Sequence, residues 1–313
     1  MHRLRLPRAA SASASLSRRL TTAAQLQIAE DQIWRGLQGR LAGFHPEPEP
    51  FRVAVVGRHS LEFAATVRAV SRAGATAAPV DASAFDAEEL TALFAEAQVH
   101  MAVSAGSGDA TMHEAARCLG KPAASAENLA AEGSASDVPG GPDDSKPSMM
   151  LFARSPLGGS RAAEVPEQAL TARLARANSA WNFAEEDVVL SLGLDAGDAT
   201  SLVDALEAPL AAGAAVELAQ VDAVWDLWST LESTTATVVF LDSRWCWQLA
   251  QTHGSLAAPV RANLQARSRD RPFRHMVAVA PAGTVLSEDL AQAWQEIFQC
   301  SLTWHFSCAE ARR

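Results

Sequence analysis

No run of about eighteen uncharged apolar residues occurs in the chain, and a helix needs that length to cross a bilayer, so no membrane span is expected. Cysteine is scarce. Cys118, Cys246, Cys300 and Cys308 are the only four, and none forms a C-x-x-C pair. A disulfide framework is not expected in a chain this long and this poor in cysteine, and buried free thiols in a reducing compartment are predicted. Positive charge is also in deficit: a net charge of −10 argues against nucleic-acid binding, which needs a basic face. There is no G-x-x-x-x-G-K-[ST] loop, no G-x-S-x-G elbow and no Ser-His-Asp signature. Tyrosine is absent. What is present suffices for a sizeable core: 313 residues, 48% of them hydrophobic, support one or two domains.

Acid is missing from the N-terminus, where the first acidic residue is Glu30. Arg3, Arg5, Arg8, Arg18 and Arg19 are interleaved with Ser11, Ser13, Ser15 and Ser17, and no continuous apolar block is present. An Arg- and Ser-rich, acid-free segment has the composition of a transit peptide, assigned here to residues 1–29, whereas a secretory signal would need the apolar block. The arginines favour the mitochondrion; the same composition also serves plastids, and a disordered basic tail is the alternative.

Beyond Glu30, strands and helices alternate. RVAVVG (52–57), Thr76–Val80 and VHMAVS (99–104) read as short buried strands. Between the first two, Ser60 is placed to cap a helix that Gly74 ends. Asp86 and Glu89 have the spacing of a capping box that opens the next helix. This alternation predicts a parallel, layered α/β unit over 30–130. Residues 131–148, rich in Gly, Pro, Ser and Asp, read as a linker, and a second α/β unit is expected over 149–313. Its strands are placed at 149–153, 188–194, 215–219, 237–241, 275–280 and 301–307, with Ser287 capping a helix that ends near Gln299.

The segment MMLFARSPLGGSR (149–161) reads as strand, loop and helix approach. A loop of this kind turns backbone N–H groups toward a phosphate, with a basic residue to neutralise charge; the alternative is an ordinary connection. Phe152–Ala162 resembles the phosphate-binding motif Y-T-S-G-T-T-G-x-P-K-G of the adenylate-forming superfamily. Phe152 stands for the Tyr, Gly158 for the second Gly, Arg161 for the Lys and Ala162 for the final Gly, with Ser155 and Ser160 as the remaining hydroxyls. VAVVGRHSLEF and RAGATAAPVD within 53–81 resemble the same family's first strand-helix-strand segment. Residues 180–215 follow its W-x-x-D-D-V pattern and the long stretch behind it; Met276–Pro281 resembles its M-V-S-G-S-A-P strand, and HFSCAE (305–310) its R-Y-G-M-T-E motif. The tryptophan pattern is most similar to the malonyl-CoA synthetase branch.

The resemblance implies the layered α-β-α large N-terminal domain of an acyl-CoA synthetase, with the small C-terminal domain and its catalytic lysine falling beyond Arg313. It implies an AMP-forming acid-thiol ligase that uses ATP, Mg²⁺ and coenzyme A on a small carboxylate. It gives Arg161 the phosphate contact together with Ser155, Gly158 and Ser160. Ala280, Pro281 and Ala282 would line the adenine pocket, Phe306 would stack near the base and Glu310 would hold Mg²⁺. The loop has lost most hydroxyls and its first glycine, the family's histidine before the second helix is replaced by the stretch Asp195–Gly197, and Ala309 stands for a Thr. An impaired enzyme is the expectation, and a non-catalytic scaffold that pairs with a full-length synthetase chain is the alternative. Read without the resemblance, Glu310 is a solvated acid, His59 a surface histidine, His275 and His305 packed or exposed, and Trp245–Trp247 helical core.

Overall fold

The computed structural model describes residues 20–41, 51–81, 83–106, 109–134, 149–154, 160–269, 273–280 and 287–306. In chain order the elements are β1 (Leu20–Thr21), α1 (Ala23–Leu41), β2 (Arg52–Gly57), α2 (Leu61–Arg72), β3 (Thr76–Asp81), α3 (Ala87–Glu96), β4 (Met101–Ala105), α4 (Asp109–Cys118), β5 (Ala123–Ser125), α5 (Ala126–Ser134), β6 (Met149–Arg154) and β7 (Ser160–Val165). There follow α6 (Glu167–Trp181), β8 (Val188–Leu192), a π-helical stretch (Thr200–Glu207) that runs into α7 (Ala208–Ala211), β9 (Ala215–Ala219), α8 (Val224–Ser233), β10 (Val238–Asp242), α9 (Ser243–Ser255), α10 (Ala258–Arg269), β11 (His275–Ala280), α11 (Glu288–Phe298) and β12 (Leu302–Phe306).

Local chemistry accounts for the punctuation. The Ser60 side chain accepts from Phe63 N and the Ser287 side chain from Leu290 N. Asp86 and Glu89 form the reciprocal capping box. Gly74 takes φ +80, a conformation that costs glycine little.

The strands form two sheets, in the orders β5-β4-β2-β3-β6-β7 and β1-β9-β8-β10-β11-β12. Pairing is parallel except at β6–β7 and β1–β9. Alternation along each strand sends side chains to both faces, so each sheet is covered on both sides. Ala54, Val56 and Ala78 meet Leu90, Phe94 and Met112 of α3 and α4. Val53, Val55 and Ala77 face the other way, into a central layer of α1, α2, α5, α6 and the π-helical stretch. Val189, Phe240 and Val277 of the second sheet close that layer from the far side. Leu190, Leu241 and Met276 then face α8, α9 and α11. The architecture is the expected layered α/β fold, extended to five layers that share one central helical layer.

Three expectations about its organisation change. β6 and β7 belong to the first sheet, so its boundary with the second lies after residue 165 and not at 131–148. β6 pairs antiparallel with β7, with Ala153 opposite Arg161 and Arg154 opposite Ser160, so a strand and not the expected helix approach follows at Ser160. Pro166, which has no N–H for a ladder, ends β7 and opens α6. Finally, α1 begins at Ala23, and Leu26 is fully buried, so the last ten residues of the 1–29 segment sit within the fold. α1 crosses α5 at glycine. A Cβ on Gly36 would lie 2.0 Å from the Leu129 carbonyl oxygen, and one on Gly133 1.9 Å from that of Gln32. Of the thiols, Cys246 is buried as expected, while Cys118 is exposed. No described helix is long and apolar enough to cross a membrane.

Candidate functional site

The C-terminal edges of the two sheets face each other. His59 follows β2, and it shares a 3.0 Å hydrogen bond through Nδ1 with Ser191 Oγ of β8. Gln220, just past β9, donates through Nε2 to the His59 carbonyl oxygen at 3.2 Å. At the end of β3, Asp81 Oδ1 accepts from Ser83 N and Oγ, and Oδ2 accepts from Ala196 N at 3.1 Å. Gly197 lies against β3 so closely that a Cβ there would be 3.1 Å from the Pro79 carbonyl oxygen. Ligands of open parallel sheets bind beyond the carboxyl ends of the strands, and here both sheets present those ends to one junction.

His59 is not the surface histidine expected from its turn position. It is 3% exposed, and Nε2 has no hydrogen-bond partner. Burial pushes its imidazole down to about 4, against the opposing attraction of Asp81, so the ring is held neutral. His59 and Ser191 tie the sheets together, and their complete burial sets them apart from a nucleophile and its base.

The remaining strands deliver the residues singled out in the sequence. β6 runs parallel to β3, so Arg154 leaves the first sheet at the same edge as Asp81. The backbone of Ser160 and Arg161 opens β7 opposite Arg154 and Ala153, while Ser155 and Gly158 lie outside the described residues. Ala280 and Phe306 are register partners at the ends of β11 and β12. Ala280 is 1% exposed, and Phe306 is one of the few exposed large apolar side chains, at 46%. Pro281, Ala282 and Glu310 lie outside the described residues. Ser160, Arg161, Ala280 and Phe306 therefore sit on strand ends at the C-terminal edges or beside them.

A polar group that sequence reading missed lies beneath this edge. Arg173 of α6 donates to both oxygens of Asp204, Nε to Oδ1 at 2.9 Å and Nη2 to Oδ2 at 2.8 Å, and Nη2 also reaches Thr200 Oγ1 at 2.8 Å. His305 of β12 places Nε2 2.8 Å from the same Asp204 Oδ2. Burial works to raise the Asp204 carboxyl, but the hydrogen bonds and charges of His305 and Arg173 outweigh it and hold the group below its ordinary value. Asp198, also in this group, is pushed up by burial, against its hydrogen bond from Thr200 N and the attraction of Arg173. The four acidic or basic members come from α6, the loop before the π-helical stretch, that stretch itself and β12. Their sequence separation hid them; the one local hint was Asp204 set between the apolar pairs Leu202–Val203 and Ala205–Leu206. Thr200 and Asp204, which both bond Arg173, lie on the π-helical stretch, a geometry that often marks functional sites.

An exposed aromatic ring beside a buried small residue, at the end of parallel strands, fits the stacking of a planar base. Among the described residues no group of three His, Cys, Asp or Glu side chains is arranged to hold a metal.

Two sheets that share a central helical layer and turn their carboxyl edges toward each other define a layered α/β class of protein. The chain belongs to the AMP-binding enzyme family, whose model matches residues 8–311. No curated protein matches it in sequence. Among solved structures, ATP-bound MatB from Rhodopseudomonas palustris is 17% identical with a TM-score of 0.70, covering 92% of this chain and 54% of its own. The N-terminal domain of FACL13 from Mycobacterium tuberculosis is 16% identical with a TM-score of 0.71, covering 92% and 69% respectively. A benzoate CoA ligase from Burkholderia xenovorans is 17% identical with a TM-score of 0.69, covering 93% and 56%. The chain thus spans about half the length of MatB and of the benzoate ligase.

Proposed function

We propose that the chain is the nucleotide-binding part of an AMP-forming acyl-CoA synthetase, with the adenine base seated at the ends of β11 and β12. The observation that carries this reading is the pairing of buried Ala280 with exposed Phe306 at the edge where both sheets present their carboxyl ends. The family membership and the ATP-bound state of the MatB structure support it. Arg161, opening β7, would supply the positive charge for the phosphates, and Glu310 would contribute to Mg²⁺, which the bound nucleotide would bring. ATP supplies the activating phosphoryl chemistry; the chain's own residues bind and orient it. Coenzyme A is the second substrate if the complete reaction runs, and a short carboxylic acid is the acyl group, with malonate the first to test.

Turnover by this chain is proposed to be weak. The segment 152–162 keeps Arg161 at the position of the family's lysine but few of the family's hydroxyls, and developing phosphoryl charge needs preorganised donors. A chain that binds AMP without releasing it from ATP would serve instead as a scaffold, for example beside a full-length synthetase. Residues 1–19, rich in arginine and free of acid, support delivery to a mitochondrion or plastid.

The test is calorimetric binding of AMP and ATP-Mg²⁺ to the purified chain and to Phe306→Ala. Base–aromatic stacking is worth roughly 1–3 kcal/mol, so the variant should bind about 5- to 150-fold more weakly. AMP binding that Phe306→Ala leaves unchanged would remove the proposed seat. No nucleotide binding at all would remove the function.

A further inference from the structure

We infer that His305, oriented by Asp204, is a specificity-determining residue that accepts a hydrogen bond from the acyl substrate, so that the site takes a short monocarboxylate with a neutral hydroxyl-type donor in preference to a dicarboxylate. This rests on the proposed function and narrows its substrate class away from malonate.

Position comes first. His305 immediately precedes Phe306 and is the register partner of Val279, which precedes Ala280. It therefore sits one residue inside the strand ends where the nucleotide is proposed to lie, and alternation turns it toward the central helical layer instead of the outer one. Its ring meets Trp181 edge-on, with centroids 6.0 Å apart. Its side chain is 29% exposed, against 3% for Asp204 and 13% for Arg173. The histidine is the member of the group that a ligand can reach.

The tautomer follows from the partners. A carboxylate oxygen 2.8 Å from Nε2 requires the proton on that nitrogen. In the neutral ring Nδ1 then carries the lone pair, and no described residue donates to it. A buried carboxylate that fixes the tautomer of a partly exposed imidazole is how a histidine is committed to accepting.

Charge bookkeeping gives the class of ligand. Arg173 is the cation at this corner among the described residues, and Asp204 engages it through both oxygens. Its Nη2 also bonds Thr200. Nε and Nη2 of Arg173 are thus taken up inside the group, and its positive charge is already matched by the Asp204 carboxylate. A dicarboxylate would bring uncompensated negative charge here, whereas a hydroxyl donor would satisfy Nδ1.

The experiment uses the purified chain saturated with AMP and three acids of one carbon length: propionate, 3-hydroxypropionate and malonate. Calorimetry is run at about pH 8.5, and ¹⁵N spectra of His305 report which nitrogen is protonated. 3-Hydroxypropionate should bind about tenfold more tightly than propionate, the gain of one well-made hydrogen bond, with malonate the weakest. His305→Phe should abolish the hydroxyl preference, and His305→Gln, which keeps an acceptor oxygen, should retain part of it. The ¹⁵N signals should show a protonated Nε2 and a bare Nδ1. AMP binding with malonate equal to or tighter than 3-hydroxypropionate overturns this inference alone, as does a protonated Nδ1. Loss of AMP binding overturns the proposed function as well.

Discussion

Acidification should weaken the protein through one buried imidazole more than through any other histidine. His59 is enclosed between the sheets, and burial lowers its pKa from 6.5 to about 4 in the folded state. Once unfolded, the ring regains its ordinary value. Between these two values the unfolded state binds a proton that the folded state refuses, so stability falls as pH drops through this window and levels off below about 4. Two and a half pKa units at 1.36 kcal/mol each amount to about 3 kcal/mol. That is a large fraction of the 5–15 kcal/mol that typically separates folded from unfolded chains. The assay is urea unfolding, followed by tryptophan fluorescence, at pH values from about 7 to about 4, on the native chain and on His59→Gln. The imidazoles of His253 and His275, which burial also depresses, are present in both proteins and cancel in the difference. The native chain should lose about 3 kcal/mol more than the variant across the window. Parallel losses in the two proteins would show that His59 is solvated or paired when protonated, and the description of the junction between the sheets would be wrong.

Three further outcomes follow from the packing. Asp204→Ala should cost about 3–5 kcal/mol, because it removes the carboxylate that pairs with the largely buried Arg173 through both oxygens, and Arg173→Leu with Asp204→Leu should recover much of that loss in a double-mutant cycle read by urea melts. Gly36→Ala should destabilise by about 1–3 kcal/mol, since its Cβ would meet the Leu129 carbonyl and force α1 away from α5; circular dichroism melts would detect it, and Gly39→Ala, with open space around it, is the control. A chain that starts at Leu20 should fold, whereas one that starts at Glu30 loses buried Leu26 and the β1 pairing and should melt at clearly lower temperature or fail to fold.

Much of the fold was legible because its signals are local. Ser60, Asp86 with Glu89, and Ser287 announce their helices within three residues. β9 and β11 have the boundaries that their apolar runs predict. β7 was hidden because Ser160–Val165 is an edge strand, polar enough to read as a loop before Pro166. β1 is two residues long and is created by its partner, with Leu20 opposite Glu217.

The candidate site divides along the same line. Its strand-end residues were singled out through motif resemblance, which is a linear pattern, and of these Ala280 and Phe306 are register partners. The burial of His59 was invisible, because a histidine after a strand carries no sign of a second sheet opposite it. The group of Arg173, Asp204 and His305 draws on residues up to 132 positions apart and exists only where α6, the π-helical stretch and β12 meet. Periodicity and capping, set by each segment's own residues, determined the alternating α/β order, and composition alone fixed the acidic balance. The tertiary structure alone decided that the strands divide into two sheets around a shared helical layer. It also buried His59 with a depressed pKa, and it spent the charge of Arg173 on an internal carboxylate. Each of these depends on desolvation and on distances between segments remote in sequence, which no local pattern encodes.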